Sequence, residues 1–339
     1  MDLRVSDTFK AQIQSAIDNK TKPLGSLGRI EALASQIAGL KETLTPEMKT
    51  CRLTIFAADH GIAKEGVSAF PQEVTRQMAA NFVAGGAAAN VFANTVGASV
   101  QVVDSGIAGE PMRLEGLINR NVAPGTRNFL REPAMTDAEY QKAFDAGFVI
   151  GAEDGWDAVC FGEMGIGNTS AATMLGHKIA GLPLDLMTGR GTGLDDQALK
   201  EKQRILEQAS KRTSDILSPQ EALIEYGGFE VVMMAGAMIG AATTRRLVIV
   251  DGFIATAAAL AAISLEPQIK NAMAFAHKSA EAGHLALTNH LQVKPLLDLE
   301  MRLGEGTGAL LAWPLAQAAA NMLSDMASFE SAGVNGPQE

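Results

Sequence analysis

The chain's 339 residues are 47% hydrophobic but only 5% aromatic, and 28 Lys and Arg against 38 Asp and Glu leave a net charge of −10. Neutralising phosphates takes clustered Lys and Arg, and no basic stripe runs along the sequence, so nucleic acid is excluded as a partner. The 34 glycines and 15 methionines favour the close packing of a doubly wound α/β protein over a β-sandwich.

The opening stretch MDLRVSDTFKAQIQ is charged throughout and has no apolar h-region, which argues against a signal peptide and for the cytoplasm. Residues 7–20 and 30–44 carry apolar side chains at helical spacing, for example Ile30, Leu33, Ile37 and Leu40, on either side of a Pro/Gly turn, TKPLGSLGR. Residues 1–48 therefore form a helical segment. From Arg52 the pattern becomes strand, turn, helix, repeated to about residue 300. Candidate strands are 52–57, 99–104, 158–161, 247–250 and 272–276, and several end in acidic or Gly-containing turns: AADHG, VVDSG, CFGEMG, VIVDG and FAHKS. Such continuous apolar strands between helices indicate a parallel sheet buried on both faces. Ligands of such sheets bind beyond the strands' carboxyl ends, so the chemistry belongs in those turns.

Helices are expected at 71–83, 87–96, 137–153, 168–179, 195–210, 229–243, 253–262, 280–290 and 307–324. Residues 106–131 read as an irregular excursion over the sheet, and 331–339 as a fraying tail. The apolar runs 231–244 and 252–265 are short for membrane spans and read as buried helices. Cys51 and Cys160, each in a strand-like run without metal-ligand spacing, read as buried free thiols of a reducing compartment.

Four blocks carry candidate chemistry. In GEMGIGNTSAA (162–172), glycines precede Asn-Thr-Ser at a helix start, a geometry that binds an anion such as phosphate, or merely caps a helix. It lacks both GxGxxG and the GKS/GKT ending of the common nucleotide loops. TGRGTGLDD (188–196) is a second backbone-exposing loop in which Arg190 can meet an anion and Asp195 or Asp196 caps the next helix. Lys202, about two turns into that helix, belongs either to the solvated surface, the commoner state, or to the ligand. In RLGEGTGA, Glu305 lies between glycines ahead of an apolar helix and is either a partner of the helix dipole or a general base with a raised pKa. Asp59 and His60 follow the first strand, but His177, His277, His284 and His290 are scattered and no zinc spacing emerges.

Together these blocks resemble the nicotinate-nucleotide–dimethylbenzimidazole phosphoribosyltransferases of cobalamin lower-ligand activation. The resemblance spans nearly the whole chain: KPLGSLGRIE, AADHGIAKEGVSAFPQEVT, GEMGIGNTSAA, GRGTGLDD, YGGFE, VDGFIATAA, AHKSAEAGH and RLGEGTGA, in the family's order. It implies a Rossmann-like doubly wound parallel sheet over residues 49–300, and a small helical domain built from both chain ends, with 301–339 supplying the active-site loop and a returning helix. It further implies a homodimer whose partner can complete each site. Glu305 falls on the family's general base and Glu163 on the acidic residue ahead of the phosphate loop. Gly165, Gly167, Asn168, Thr169, Gly191, Lys202 and Ser279 fall on the ribose-phosphate side. Ser68, Phe70, Gln77, Met164 and Leu303 fall on the aromatic-base pocket.

The implied reaction moves ribose 5-phosphate from nicotinate mononucleotide to dimethylbenzimidazole or a similar flat base, with inversion at C1. The donor has no pyrophosphate leaving group, so neither metal nor cofactor is expected. Two rivals carry less: an NAD-dependent oxidoreductase, disfavoured by the missing GxGxxG, and a non-catalytic nucleotide sensor, which leaves the glycine-flanked carboxylate unexplained.

Overall fold

A computed structural model describes residues 3–335. Met1, Asp2 and residues 336–339, and with them the ends of the charged opening stretch and of the tail expected to fray, lie outside the described residues.

The chain begins with α1 (Asp7–Asp18), started by the Ser6 hydroxyl accepting from Phe9 N–H at 3.2 Å, and α2 (Arg29–Lys41). The KPLGSLGR turn between them is fixed by a buried Lys22–Glu31 ion pair of 2.8 Å. Strand β1 (Cys51–Ala58) leads through a 3₁₀ turn (Gly61–Glu65) to α3 (Glu73–Ala84), α4 (Ala88–Val96) and β2 (Ser99–Gly106). There follow β3 (Leu117–Asn119), α5 (Asp137–Ala152), β4 (Ala158–Met164), α6 (Asn168–Ala180), α7 (Leu184–Met187) and α8 (Asp196–Ser210). Next come α9 (Pro219–Tyr226), α10 (Phe229–Thr243), β5 (Leu247–Val250), α11 (Phe253–Leu265) and a second 3₁₀ turn (Pro267–Ala272). The chain closes with β6 (Met273–Phe275), α12 (Ala282–His290), α13 (Thr307–Asp325) and α14 (Phe329–Ala332).

Six parallel strands lie in the order β3-β2-β1-β4-β5-β6, so the winding reverses between β1 and β4. Every residue of β1 is buried, as a central parallel strand requires. The pairings Phe56↔Glu163 and Phe161↔Val250 bring the strand-end turns containing Asp59, Glu163 and Asp251 side by side along the sheet's carboxyl edge. Chain reversal at this point opens the crevice in which such sheets bind ligands.

Three expectations are corrected. The stretch 106–131 is not wholly an excursion over the sheet: Leu117–Asn119 pairs with β2 and adds a sixth strand at the edge. Three residues are too few to show an alternation. Helices α7 and α9 lie where none was expected, although Ser218, Pro219 and Glu221 give α9 a complete capping box. The tail expected to fray starts inside α14, whose Ser328 hydroxyl caps Ser331 N–H at 3.0 Å.

The apolar runs at α10 and α11 are internal helices: every residue from Phe229 to Ala242 is buried, and no helix among the described residues is long and apolar enough to cross a membrane. Both cysteines are free and buried, with sulfurs 3.5 Å apart on neighbouring strands. The two chain ends meet, with Lys20 bridging Ser328, Thr21 N–H donating to Ala327 C=O at 3.1 Å and Phe329 N–H to Asn19 C=O at 3.1 Å. α13 packs on α2 and α4 and also against β4 and β5, so the helices of both ends share one apolar core with the sheet.

On the other face α10 lies against α5 at backbone contact. A Cβ at Gly147 or Gly151 would stand 2.0 Å from the carbonyl oxygen of Met233 or Ala237. One at Gly236 or Gly240 would stand 2.3 or 2.2 Å from the carbonyl of Phe144 or Phe148. Because the obstacle is backbone, it cannot swing aside. Gly147→Ala is expected to lower stability by about 1–3 kcal/mol from overpacking, outweighing the ~0.5–1 kcal/mol that alanine returns within a helix. A lowered urea midpoint at unchanged m-value checks this.

Candidate active site

The last loop before α13 carries Glu305 back over the sheet edge. Residues 294–301 run beside β6, with Leu296 N–H bonded to Phe275 C=O at 2.9 Å and Lys278 N–H to Leu297 C=O at 2.8 Å. Arg29 braces this strap by donating to the carbonyl of Pro295 at 2.6 Å. Gly304, Glu305 and Gly306 then take φ of 85°, 62° and 80° in succession. A left-handed glutamate costs on the order of 1–3 kcal/mol, so its surroundings must impose it.

Three contacts do so. Gly162 of β4 lies so close that a Cβ there would meet the Glu305 carbonyl at 2.5 Å. Glu305 N–H points to Glu163 Oε1 at 3.4 Å, and Asp251 Oδ2 accepts from Gly306 N–H at 3.1 Å. The side chain itself is 8% exposed, and its Oε2 has no hydrogen-bond partner. Burial, then the charge of Asp251, push its pKa up to about 7. Between the two roles open in the sequence, the helix-dipole partner is Asp251, which bonds the Gly306 and Ala309 amides; Glu305 is left with an unpaired oxygen.

Beside it, Glu163 ends β4 and accepts from the Asn168 side-chain amide, the first residue of α6. Burial and the charges of Glu230 and Asp251 hold its pKa well above the usual carboxylate range. Gly165 and Gly167 make the turn between β4 and α6: a Cβ at Gly165 would strike the Ala58 carbonyl at 2.5 Å, and Gly167 has a φ of 98°. The α6 amino end, with the positive pole of its dipole, thus opens at the β1–β4 crevice.

Lys202 is not solvated but 1% exposed. Its Nζ donates to Thr169 Oγ1 at 2.8 Å and to Gly189 C=O at 3.3 Å, tying the Gly165–Thr169 turn to the 188–196 loop beside Gly191. Burial lowers its pKa to about 8, against the pull of Glu281. Arg190 is spent within its own loop, on Leu194 C=O at 2.8 Å and on Asp196, while Asp195 caps α8 through Ala198 N–H at 2.8 Å. Ser279 lies across the edge, its Oγ accepting from Glu281 N–H at 3.3 Å, and Glu281 reaches Gly189.

Of the residues matched to a base pocket, Met164 packs with Ala57, Ala79 and Ile107, a small apolar cluster apart from the main core. Ser68 Oγ is 3.0 Å from Thr192 Oγ1, joining the loop after β1 to the 188–196 loop. Gln77 lies exposed on α3, while Phe70 and Leu303 are 51% and 56% exposed, large apolar side chains left without cover at the edge.

Several residues of the site escaped the sequence. His60 Nε2 is 2.6 Å from Glu230 Oε1, both wholly buried beneath Gly165. His277 Nε2 lies 3.6 Å from Asp251. Thr192, Glu281 and Arg302, which donates to Gly191 C=O at 3.1 Å, fasten the loops. Each lies in a segment the sequence singled out, His60 in AADHG, Glu230 in YGGFE, Asp251 in VIVDG, His277 in FAHKS, Thr192 in TGRGTGLDD, Glu281 in AHKSAEAGH and Arg302 in RLGEGTGA, so what escaped was the pairing and not the place. The arrangement offers a carboxylate with an unpartnered oxygen titrating near neutrality, a second whose proton affinity burial raises, and a glycine-built helix start with a buried amine, suited to proton removal beside a bound phosphate.

A family model described as phosphoribosyltransferase matches residues 4–334. The chain is 51% identical over 328 residues to the nicotinate-nucleotide–dimethylbenzimidazole phosphoribosyltransferase of Aromatoleum aromaticum, covering 96% of this chain and 95% of that one. It is 48% identical over 334 residues to the protein of that name from Cupriavidus taiwanensis, covering 98% and 96%. A solved structure of the same-named enzyme from Thermus thermophilus superposes with a TM-score of 0.93 at 39% identity, covering 98% of this chain and 100% of that one.

Proposed function

We propose how the site divides its work from one premise: the chain belongs to the nicotinate-nucleotide–dimethylbenzimidazole phosphoribosyltransferase family. The enzyme moves the 5-phosphoribosyl group of nicotinate mononucleotide to 5,6-dimethylbenzimidazole, a step of cobalamin biosynthesis. The C1–N bond to the pyridinium breaks, its electron pair leaving with nicotinate. A ring nitrogen of the acceptor forms the new bond to C1 from the opposite face, giving α-ribazole 5′-phosphate by inversion through a transition state of oxocarbenium character.

Attack acidifies the acceptor's other N–H, and Glu305 takes that proton. The observation that carries this role is its buried, unpartnered Oε2 on a carboxylate whose pKa is near 7. A general base works best when its pKa lies near the working pH. Glu163 faces the ribosyl centre and, as an anion, stabilises the positive charge of the donor and of the transition state, while burial and the charges of Glu230 and Asp251 raise its proton affinity. Gly165, Gly167, Asn168, Thr169, Gly191, Lys202 and Ser279 hold the phosphate, and Ser68, Phe70, Gln77, Met164 and Leu303 bound the flat base. Holding donor and acceptor in line supplies on the order of 7 kcal/mol or more.

Two further readings belong to the same proposal. The exposed Phe70 and Leu303 at the site's edge suit cover by a second copy of the chain, as a homodimer whose partner closes each site. The enzyme works in the cytoplasm, where its paired thiols stay reduced.

Glu305→Gln is expected to leave both KM values within a few-fold while cutting kcat by about a hundredfold or more, the span of general-base catalysis. In the wild type kcat/KM should fall as pH drops through about 7, because the base must be unprotonated, and Glu305→Gln should lack that limb. A near wild-type rate in steady-state assays would remove Glu305 from the base role.

Lys202 generates the second prediction. Its folded pKa of about 8 lies below its ordinary 10.5, so burying the charged amine costs stability in full below pH 8, and the cost fades as pH rises towards 10.5. Lys202→Met should raise the KM for nicotinate mononucleotide by roughly tenfold or more, the loss of a charge-assisted bond. The same variant should unfold at no lower a temperature than the wild type when ligand-free at pH 7. Thermal scans with and without the nucleotide separate the two effects.

A further inference from the structure

Asp251 stands at the carboxyl end of β5, directly behind the base, and the reaction described above leaves it without a part. It is 2% exposed, yet its carboxylate is fully engaged: Oδ2 accepts from Gly306 N–H at 3.1 Å and Oδ1 from Ala309 N–H at 3.0 Å. Gly306 is the N-cap of α13 and has no side chain to cap with, so the cap of this 19-residue helix comes from another strand, 55 positions away in sequence.

The opposite side of Asp251 is occupied by His277, at 3.6 Å, whose two ring nitrogens have no hydrogen-bond partner. That ring is wedged against Gly308 and Gly252, where Cβ atoms would stand 2.0 and 3.2 Å from it, and it stacks on His284 with centroids 6.3 Å apart. His284 accepts Ser279 N–H at Nδ1, so its Nε2 bears the hydrogen and reaches Thr256 at 3.2 Å. Burial lowers its pKa to about 4, which keeps the outer ring neutral.

We propose that Asp251 is the positioning residue of Glu305: by gripping the amides that follow the base it locks residues 304–306 in their left-handed turn, and it sets its carboxylate facing the base. The other charged groups around Glu305 are arranged differently. Glu163, on β4, accepts the Glu305 N–H, and Glu230 on α10 is bonded to His60. Arg302, on the same strap, is turned to the Gly191 carbonyl. Asp251 is the charge that joins burial in raising the proton affinity of Glu305. Burial raises the proton affinity of Asp251 itself, and His277, with the amides of α13, works against that rise. The sign is therefore set: a neutral group at 251 lets Glu305 lose its proton at lower pH, and loss of the His277 ring acts the same way more weakly.

The proposal rests on Glu305 being the base. The test is the pH dependence of kcat and kcat/KM, with nicotinate mononucleotide and dimethylbenzimidazole, for the wild type, Asp251→Asn, His277→Gln, Glu305→Gln and the Asp251→Asn/Glu305→Gln double variant. Asp251→Asn should move the acid limb down by about one pH unit and lower kcat by roughly tenfold or more, with both KM values within about threefold. In the Glu305→Gln background the same change should cost less than about threefold, because a residue acting through Glu305 has nothing left to act on. His277→Gln keeps both amide bonds, and a smaller shift in the same direction is expected; it decides the matter if Asp251→Asn fails to fold. A limb that stays at the wild-type pH in both single variants, or an Asp251→Asn cost as large in the double variant as in the wild type, overturns the proposal. Glu305→Gln at the wild-type rate instead overturns the base assignment and this inference with it.

Discussion

A buried carboxylate without a full counter-charge must be held by dipoles, and this protein gathers Glu163, Glu230, Asp251 and Glu305 at one edge of its sheet. Two histidines face them: His60 meets Glu230 at 2.6 Å, and His277 approaches Asp251 at a distance beyond a hydrogen bond. The rest of the offset comes from backbone and amide donors: Asn168 to Glu163, the first turn of α13 to Asp251. Helix starts at Asn168, Phe253 and Thr307 bring their positive poles to the same place. A parallel sheet whose strands are followed by helices supplies such helix starts at one edge, so the fold is the condition for the site's electrostatics. Glu305 and Glu230 each keep an oxygen without a donor, and at Glu305, which has no histidine beside it, burial and the charge of Asp251 raise the proton affinity.

The strand order is that of dinucleotide-binding sheets, yet the loops carry another chemistry. After β1 comes Asp59-His60 in place of a glycine fingerprint, and His60 holds Glu230 under the turn at Gly165. The crevice is inherited from topology. Its use is decided by which strand ends carry acids and which carry glycines.

Much of this was legible in sequence where one residue's neighbours in the chain are also its neighbours in space. Glu305 stood out because glycines flank it, a local signal, while Glu163 was reached through the family resemblance of the segment around it. Lys202 was legible in principle: with Ile205, Leu206 and Ala209 it falls on one helical face, which is the buried one. The start of α9 was written out by Ser218 and Glu221 and passed over because eight residues make a weak period. Asp251 and His277 stood in strand-end turns, but their joining to α13 was illegible, since those partners lie tens of residues further on and no spacing rule links them. The same holds for β3, three residues whose only reason to be extended is the edge of β2.

Helix α13 joins two places described separately: the turn bearing Glu305 at one end and, just past the other, the clasp of Asn19–Thr21 with Ala327–Phe329. Nineteen residues at 1.5 Å each make a strut of about 28 Å, packed along its length on α2 and the sheet. The terminal clasp is thus mechanically continuous with the turn that bears Glu305. A load hung on either chain end, such as a fused domain or a surface tether, bears on the same lever that sets the angle of that carboxylate.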